Sequence, residues 1–94
     1  PHSAEGCASV WHLYVVRHAR RDALAKALAE CGIGTVIHYP VPPHLQPAYA
    51  ALGITRGALP IAEALHGQVL SLPMGPTLTL ADADAVIKAV RACA

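Results

Sequence analysis

The chain has 94 residues, of which 54% are hydrophobic and 14% are charged, and its formal net charge at pH 7 is +1. This composition excludes intrinsic disorder, and the length allows a single domain with a small core. The seven Lys and Arg residues are spread along the chain, so no basic stripe indicates nucleic acid as a partner. Because the apolar runs are too short to span a bilayer, we expect no membrane partner either.

The chain opens with Pro1 rather than methionine, and small or polar residues follow it. Residues 1–9 are therefore predicted to form an N-terminal loop segment, and residues 10–94 a single folded domain. Because these first residues are polar and small, we expect no signal peptide in them. Such a start is expected for a processed product or for a fragment of a longer chain.

The cysteines Cys7, Cys31 and Cys93 are odd in number, far apart and without a CxxC motif. This spacing argues against a structural zinc site and against a disulfide framework. We expect three free thiols, buried as small apolar side chains, in a protein of the reducing cytoplasm.

The first half of the chain predicts a strand, a helix and a second strand. Residues Val10–Arg17 are rich in β-branched and aromatic side chains, which favours a strand. Arg21–Cys31 is predicted to be a helix that ends at Gly32 in a Schellman motif, with Leu24, Ala27, Leu28 and Cys31 on its apolar face. Gly34–Tyr39 is predicted to be the second strand, which the following prolines stop.

The second half predicts two helices around a third strand. His44–Leu52 is expected to form a short helix or two turns, and Pro60–Gly67 a regular helix with proline in its first turn. Val69–Leu72 is predicted to be the third strand. Thr79 is the predicted N-cap of a final helix that runs to about Ala92. The side chains expected to face inward from this last helix are Leu80, Ala83, Ile87 and Val90.

These elements predict an α+β fold, with a small, mainly antiparallel, three-stranded sheet and helices packed on one face. The chain has too few elements to cover the second face of the sheet. In the first strand, Trp11, Leu13 and Val15 share one face, and His12, Tyr14 and Val16 share the other. We expect the His12, Tyr14 and Val16 face to be uncovered, so that the isolated domain self-associates.

The candidate binding residues are His38, Tyr39 and His44, which lie at the end of the second predicted strand and on a proline-stiffened loop. Such a loop holds side chains in place at little entropic cost, and imidazole and phenol groups can bind a hydroxyl- or phosphate-bearing ligand. The structural alternative is that Tyr39 packs and His38 bonds a backbone carbonyl. Glu63 is expected either to pair near this loop or, more simply, to be a solvated helix charge.

No set of residues assembles a complete catalytic site. Lys26 and Lys88 fall at exposed helix positions, without a neighbour that lowers the pKa of the amine. An independent enzyme that uses His38 and His44 as acid and base is disfavoured because no oriented partner is recognisable. A zinc site is disfavoured for lack of a metal-binding motif; its candidate ligands are His38, His44, and His66 or His12. The basic cluster of Arg17, Arg20 and Arg21 is expected to be a solvated loop, or else a phosphate contact.

Six short blocks occur in a characteristic order: WHLYVVR, RD, GI with HYP, P-x-HLQPAY, LP-x-AE and LSLPM-x-P-x-LT. Together they cover roughly residues 10–93. In this order and spacing they resemble the C-terminal small domain of the DegT/StrS-type sugar aminotransferases, which are pyridoxal-phosphate (PLP) enzymes of aminotransferase fold type I.

The resemblance implies a parent enzyme that moves an amino group from glutamate or glutamine to a keto-sugar, commonly nucleotide-linked. It places the cofactor lysine in an N-terminal domain that is absent from this chain, so no cofactor-binding residue and no catalytic residue is expected here. It also implies that this domain completes the substrate cleft, with His38, Tyr39 and His44 nearest the sugar nucleotide, and supports a homo-oligomer. The alternative is a free-standing binding or dimerising module without catalysis.

Overall fold

A computed structural model describes residues 2–94, so Pro1, the first residue of the predicted N-terminal loop segment, lies outside the described residues. Residues 2–13 contain neither helix nor strand. The elements that follow are β1 (Tyr14–Arg17), α1 (Arg21–Glu30), two 3-10 turns (Pro43–Leu45 and Pro47–Leu52), α2 (Pro60–Gln68), β2 (Val69–Leu72) and α3 (Leu80–Cys93). Among residues 2–94, no helix is both long and apolar enough to cross a membrane.

The sheet is antiparallel and has two strands, β1 and β2, with Tyr14 opposite Leu72 and Val16 opposite Leu70. The predicted mixture of helices with an antiparallel sheet is confirmed. The predicted first strand, however, began four residues too early. In this register, Val10 and Leu13 would lie opposite Pro76 and Pro73, and proline has no amide hydrogen for the ladder.

The predicted second strand, over Gly34–Tyr39, is not formed. Val36 alone makes a β-bridge to Ser71, through backbone hydrogen bonds of 3.2 and 2.8 Å. Two residues away in the same register, Gly34 would face Pro73, which cannot donate a hydrogen bond. In the other direction Pro40 follows closely, so the segment leaves the sheet after a single bridge.

The core lies between α1 and β2, where Leu24, Leu28 and Leu70 are buried. Val16 packs against these three residues from β1. The predicted uncovered face of the first strand is therefore wrong for Val16, whereas His12 and Tyr14 on the same face are exposed, as expected. Both faces of this strand carry apolar side chains, so the sequence of the strand alone does not show which face is buried. The pairing of Val16 with Leu70 decides it.

Helix α1 ends in the predicted Schellman motif. Gly32 has φ +76°, and the Gly32 amide donates to the Ala29 carbonyl at 2.9 Å. The Ile33 amide donates to the Leu28 carbonyl at 2.9 Å, and Ile33 packs against the core. Glycine suits this position because a Cβ atom is unfavourable at positive φ.

The three thiols are free, as predicted, but their predicted burial is wrong for two of them. Cys7 and Cys31 are exposed, and Cys93 is half-buried. Cys31 follows the last residue of α1, where the chain turns at Gly32, and so it lies beyond the apolar face that helical spacing assigned to it. Burial and the neighbouring Cys31 and Glu30 raise the pKa of the Cys93 thiol.

Helix α3 begins with the predicted capping box. The Thr79 hydroxyl accepts a hydrogen bond from the Asp82 amide at 3.1 Å, and the Asp82 carboxylate accepts one from the Thr79 amide at 3.0 Å. Two of the residues predicted to face inward do not: Leu80 is 87% exposed and Ile87 is 46% exposed. The core contacts of α3 come instead from its C-terminal half, through Ala89, Val90 and Cys93.

Replacing Thr79 with alanine is expected to destabilise the fold by about 1 kcal/mol, because α3 loses the acceptor that satisfies its Asp82 amide. Urea denaturation followed by circular dichroism measures this loss. Thr77→Ala is the matched control, since Thr77 is exposed and lies outside α3. Equal denaturation midpoints for the two variants would contradict the capping role.

Candidate functional site

The candidate site is the proline loop, which we define as residues 38–47. It contains four prolines, and proline fixes φ near −65°, so the loop has few alternative backbone conformations. Within it, Pro42 and His44 are buried, whereas Tyr39 and Val41 are exposed. The loop follows the Val36 bridge and includes the first 3-10 turn, and three side-chain hydrogen bonds attach it to β2 and α2.

The first attachment joins the start of the proline loop to β2. The Nδ1 atom of His38 lies 2.9 Å from the hydroxyl oxygen of Ser71, which is 5% exposed. The structural alternative for His38 was a bond to a backbone carbonyl; the observed partner is a hydroxyl group instead. Because only Nδ1 is used, the Nε2 atom of this half-buried ring can still bind another group.

The second attachment joins the loop to α2 through His66, whose Nδ1–H donates to the Tyr39 carbonyl. The His38 and Tyr39 rings meet edge to face, with centroids 5.3 Å apart, and the peptide bond between these residues is cis. The hydrogen bond from His66 holds the backbone of Tyr39, while its side chain stays 64% exposed. The structural alternative, in which Tyr39 packs in the interior, is not observed.

The third attachment is a pair between His44 and Glu63 of α2. The His44 Nε2–H donates to the Glu63 carboxylate at 3.1 Å, and the two side chains are only 5% and 15% exposed. The same carboxylate oxygen accepts the Gly57 amide at 2.7 Å. Glu63 is therefore not the solvated helix charge that its position suggested; it pairs beside the loop.

The environment of Glu63 favours its ionised form. Burial alone would raise the pKa of this carboxyl, but hydrogen bonds from Gly57, His44 and Leu59, with the charge on His44, together hold it below its ordinary value. Arg56 lies 4.0 Å from the other carboxylate oxygen, but its side chain is 80% exposed and so contributes little.

Acid should therefore weaken this part of the fold. Because the Glu63 pKa is lower in the folded protein than its ordinary value of 4.5, its contribution to stability is complete above pH 4.5. That contribution is lost as the pH falls through the lowered value. Urea midpoints measured from pH 7 to pH 3 should fall more steeply for the native chain than for Glu63→Gln; parallel curves would contradict the assignment.

A buried arginine next to the site was also misjudged from the sequence. Arg21, expected in a solvated cluster, is 8% exposed. Its guanidinium donates to the carbonyls of Val69 at 3.0 Å and His66 at 3.3 Å, and it pairs with Asp22 at 2.6 Å. It thus connects α1 to the junction of α2 and β2, and the observed partners are protein groups rather than a phosphate.

Of the three predicted binding residues, only Tyr39 is exposed, and within residues 2–94 its hydroxyl has no hydrogen-bond partner. His38 is half-buried and His44 is occupied by Glu63. The sequence analysis considered Glu63 for a pairing near the loop and His66 only as a candidate zinc ligand; the loop attachment by His66 was missed, although a spacing of three places both residues on one face of α2. Residues 2–94 contain no group of three or more side chains arranged to hold a metal ion.

Comparison with known proteins identifies the family. Residues 1–91 match the model of the DegT/DnrJ/EryC1/StrS aminotransferase family. The chain is 52% identical, over 97% of its length, to the dTDP-3-amino-3,4,6-trideoxy-alpha-D-glucose transaminase of Streptomyces venezuelae, of which it spans 24%. It is 52% identical, over 89% of its length, to the erythromycin biosynthesis sensory transduction protein EryC1 of Saccharopolyspora erythraea, of which it spans 23%.

A solved structure agrees. The crystal structure of S. venezuelae DesV in complex with a ketimine intermediate superimposes with a TM-score of 0.92 and 51% identity, over 98% of this chain and 25% of that one. The chain thus spans about a quarter of the length of each protein named here. The resemblance seen in the six sequence blocks is confirmed: the chain belongs to the DegT/DnrJ/EryC1/StrS aminotransferase family.

Proposed function

We propose that this chain is the C-terminal small domain of a PLP-dependent aminotransferase that aminates a nucleotide-linked keto-sugar in deoxysugar biosynthesis. In that enzyme it forms one wall of the substrate cleft and part of the interface with the N-terminal domain and a second subunit. The main support is the proline loop, which is attached at three points and presents the Tyr39 phenol outward. Further support is the S. venezuelae relative, whose name specifies a dTDP-linked amino sugar.

In this proposal Tyr39 contacts the sugar nucleotide directly. Its hydroxyl can donate to a phosphate or carbonyl oxygen and accept from a sugar hydroxyl. His38 contributes through Nε2, because Nδ1 is held by Ser71. His44, which was expected to bind substrate, would instead mainly hold the loop against α2, since it is buried against Glu63.

PLP, the cofactor of the proposed parent enzyme, supplies the electron sink for amino transfer. The residues of this chain do not fit that cofactor, because both of its lysines, Lys26 and Lys88, are exposed on helices. We therefore assign the cofactor lysine to the part of the parent protein outside this chain. We further propose that the amino donor is glutamate or glutamine and that the parent enzyme is cytoplasmic.

The test is Tyr39→Phe in the full-length enzyme. Losing one hydrogen bond to the substrate should raise KM for the keto-sugar nucleotide about 3- to 10-fold. The reaction with the amino donor alone should not change. Tyr49→Phe is the matched control, because Tyr49 is also about half exposed but lies outside the proline loop. Unchanged KM in Tyr39→Phe would contradict the substrate contact.

The alternative, a free-standing dimerising module, has support from one feature. An apolar hollow of about 300 Å³ opens between the ends of the strands and α3, lined by Tyr14, Leu72, Met74, Leu78, Val86 and Ile87. Apolar surface of this kind favours association, so sedimentation should show that the isolated chain self-associates. The coding sequence before Pro1 separates the two functions: an in-frame domain with a lysine block favours the enzyme, and a start codon favours the module.

A further inference from the structure

Helix α2 presents two side chains to the proline loop from one face. Glu63 and His66 are one helical turn apart, and they hold the two ends of the segment from Tyr39 to His44. At the far end of that segment, one oxygen of Glu63 accepts hydrogen bonds from two different parts of the chain. These are the His44 ring, 19 residues earlier in the chain, and the Gly57 amide in the turn just before α2.

The chemistry of Glu63 suits this position. A carboxylate oxygen has two lone pairs and accepts from both donors at once, and its negative charge strengthens both bonds. The side chains of Glu63 and His44 are largely shielded from water, so breaking this contact would leave a buried polar group without a partner. His44 in turn follows Pro42 and Pro43. Because proline fixes φ, the position of His44 restricts the backbone conformation of the rest of the loop.

We infer that Glu63 is a positioning residue for sugar binding, which holds the proline loop through His44 and Gly57 so that Tyr39 points at the substrate. The inference rests on the proposed function. Glu63 does not contact the substrate itself, because it lies beneath the loop. It should therefore affect how the sugar binds without affecting how the cofactor exchanges its amino group with the donor.

The first experiment measures the two halves of the reaction separately in the full-length enzyme. Glu63→Ala should raise KM for the keto-sugar nucleotide about tenfold, because two hydrogen bonds to a charged acceptor are lost. The rate of the half-reaction with the amino donor alone should stay within about twofold of the rate of the native enzyme. Glu63→Gln keeps an acceptor oxygen and should recover much of the loss, and it serves as the second variant if Glu63→Ala does not fold. An equal loss in both halves would overturn the inference, as would an unchanged KM.

Arg56→Gln is the matched control, because Arg56 faces the same carboxylate at 4.0 Å but is 80% exposed. It should leave both halves unchanged. A control effect as large as that of Glu63→Ala would show that net charge matters rather than the two hydrogen bonds, and would also overturn the inference.

The second experiment separates failure of the inference from failure of the proposed function. Hydrogen exchange in the full-length protein should show the Gly57 amide losing protection in Glu63→Ala, while the amide of Leu28 in the core is unaffected. Equal protection of Gly57 in both proteins would overturn the inference whatever the enzyme does. If the native protein aminates no keto-sugar, the proposed function fails and the role in sugar binding fails with it, while the exchange result still decides whether Glu63 holds the loop.

Discussion

Replacing Leu28 with alanine is expected to lower the free energy of unfolding by about 2–5 kcal/mol, one of the two largest effects that we predict for a single residue. Leu28 is 0% exposed and packs with Leu24 and Leu70 at the centre of the core. Within the described part of the chain, these are the only hydrophobic side chains buried this fully. A domain of this size has a stability of roughly 5–15 kcal/mol, so the loss is a large fraction of the total.

Urea denaturation of the native chain and the variant gives this difference directly. Leu80→Ala is the matched control, because it makes the same chemical change at a helix position that is 87% exposed. The control should change stability by less than about 0.5 kcal/mol. If the two variants lost the same stability, the position of the core described here would be wrong.

The second large effect is expected for Arg21→Met, which should destabilise the fold by roughly 1.5–3 kcal/mol. Methionine retains an apolar stem, but it cannot donate to the carbonyls of His66 and Val69. Those two carbonyls lie where α2 passes into β2, so the loss should loosen the element that anchors the proline loop. The effect should be larger than that of a surface ion pair because Arg21 is 8% exposed.

The neighbouring Arg20→Met makes the same substitution at an exposed position and provides the control. Thermal and urea denaturation should show a clear loss for Arg21→Met and a change within about 0.5 kcal/mol for Arg20→Met. Similar midpoints for both variants would mean that Arg21 behaves as the solvated charge that its neighbours in the sequence suggest.

The features that could be predicted from the sequence are those that depend on residues close together in the chain. The capping box at Thr79 and Asp82 involves residues three apart, and the Schellman motif at Gly32 involves the end of a single helix. The bounds of β2, Val69–Leu72, were also correct, because Pro73 limits the strand locally.

The features that could not be predicted depend on pairs far apart in the chain. The length of β1 is set by the prolines near β2, and the predicted strand over Gly34–Tyr39 is prevented by Pro73 opposite Gly34. The burial of Arg21 depends on carbonyls 45 and 48 residues away. A local pattern of apolar and charged residues contains no information about which of these distant partners will be adjacent.

The candidate site shows the same division between local and distant features. The stiff loop and its histidine and tyrosine residues could be recognised from the prolines around them. The separate positions of Tyr39, which is exposed, and His44, which is buried, depend on contacts with α2 that begin 19 or more residues later. The sequence therefore identified the loop, but it did not show that Tyr39 is the exposed residue and that His44 is the buried residue that supports the loop.

In the proposed function, this chain supplies the sugar-facing part of an aminotransferase, and the cofactor amine lies in the rest of the parent protein. The most direct test is an absorbance titration of the 94-residue chain with PLP. We predict no stoichiometric band of bound cofactor, whereas the full-length protein should show one that the amino donor bleaches. A stoichiometric band in the isolated chain, lost on replacing Lys26 or Lys88, would contradict the claim.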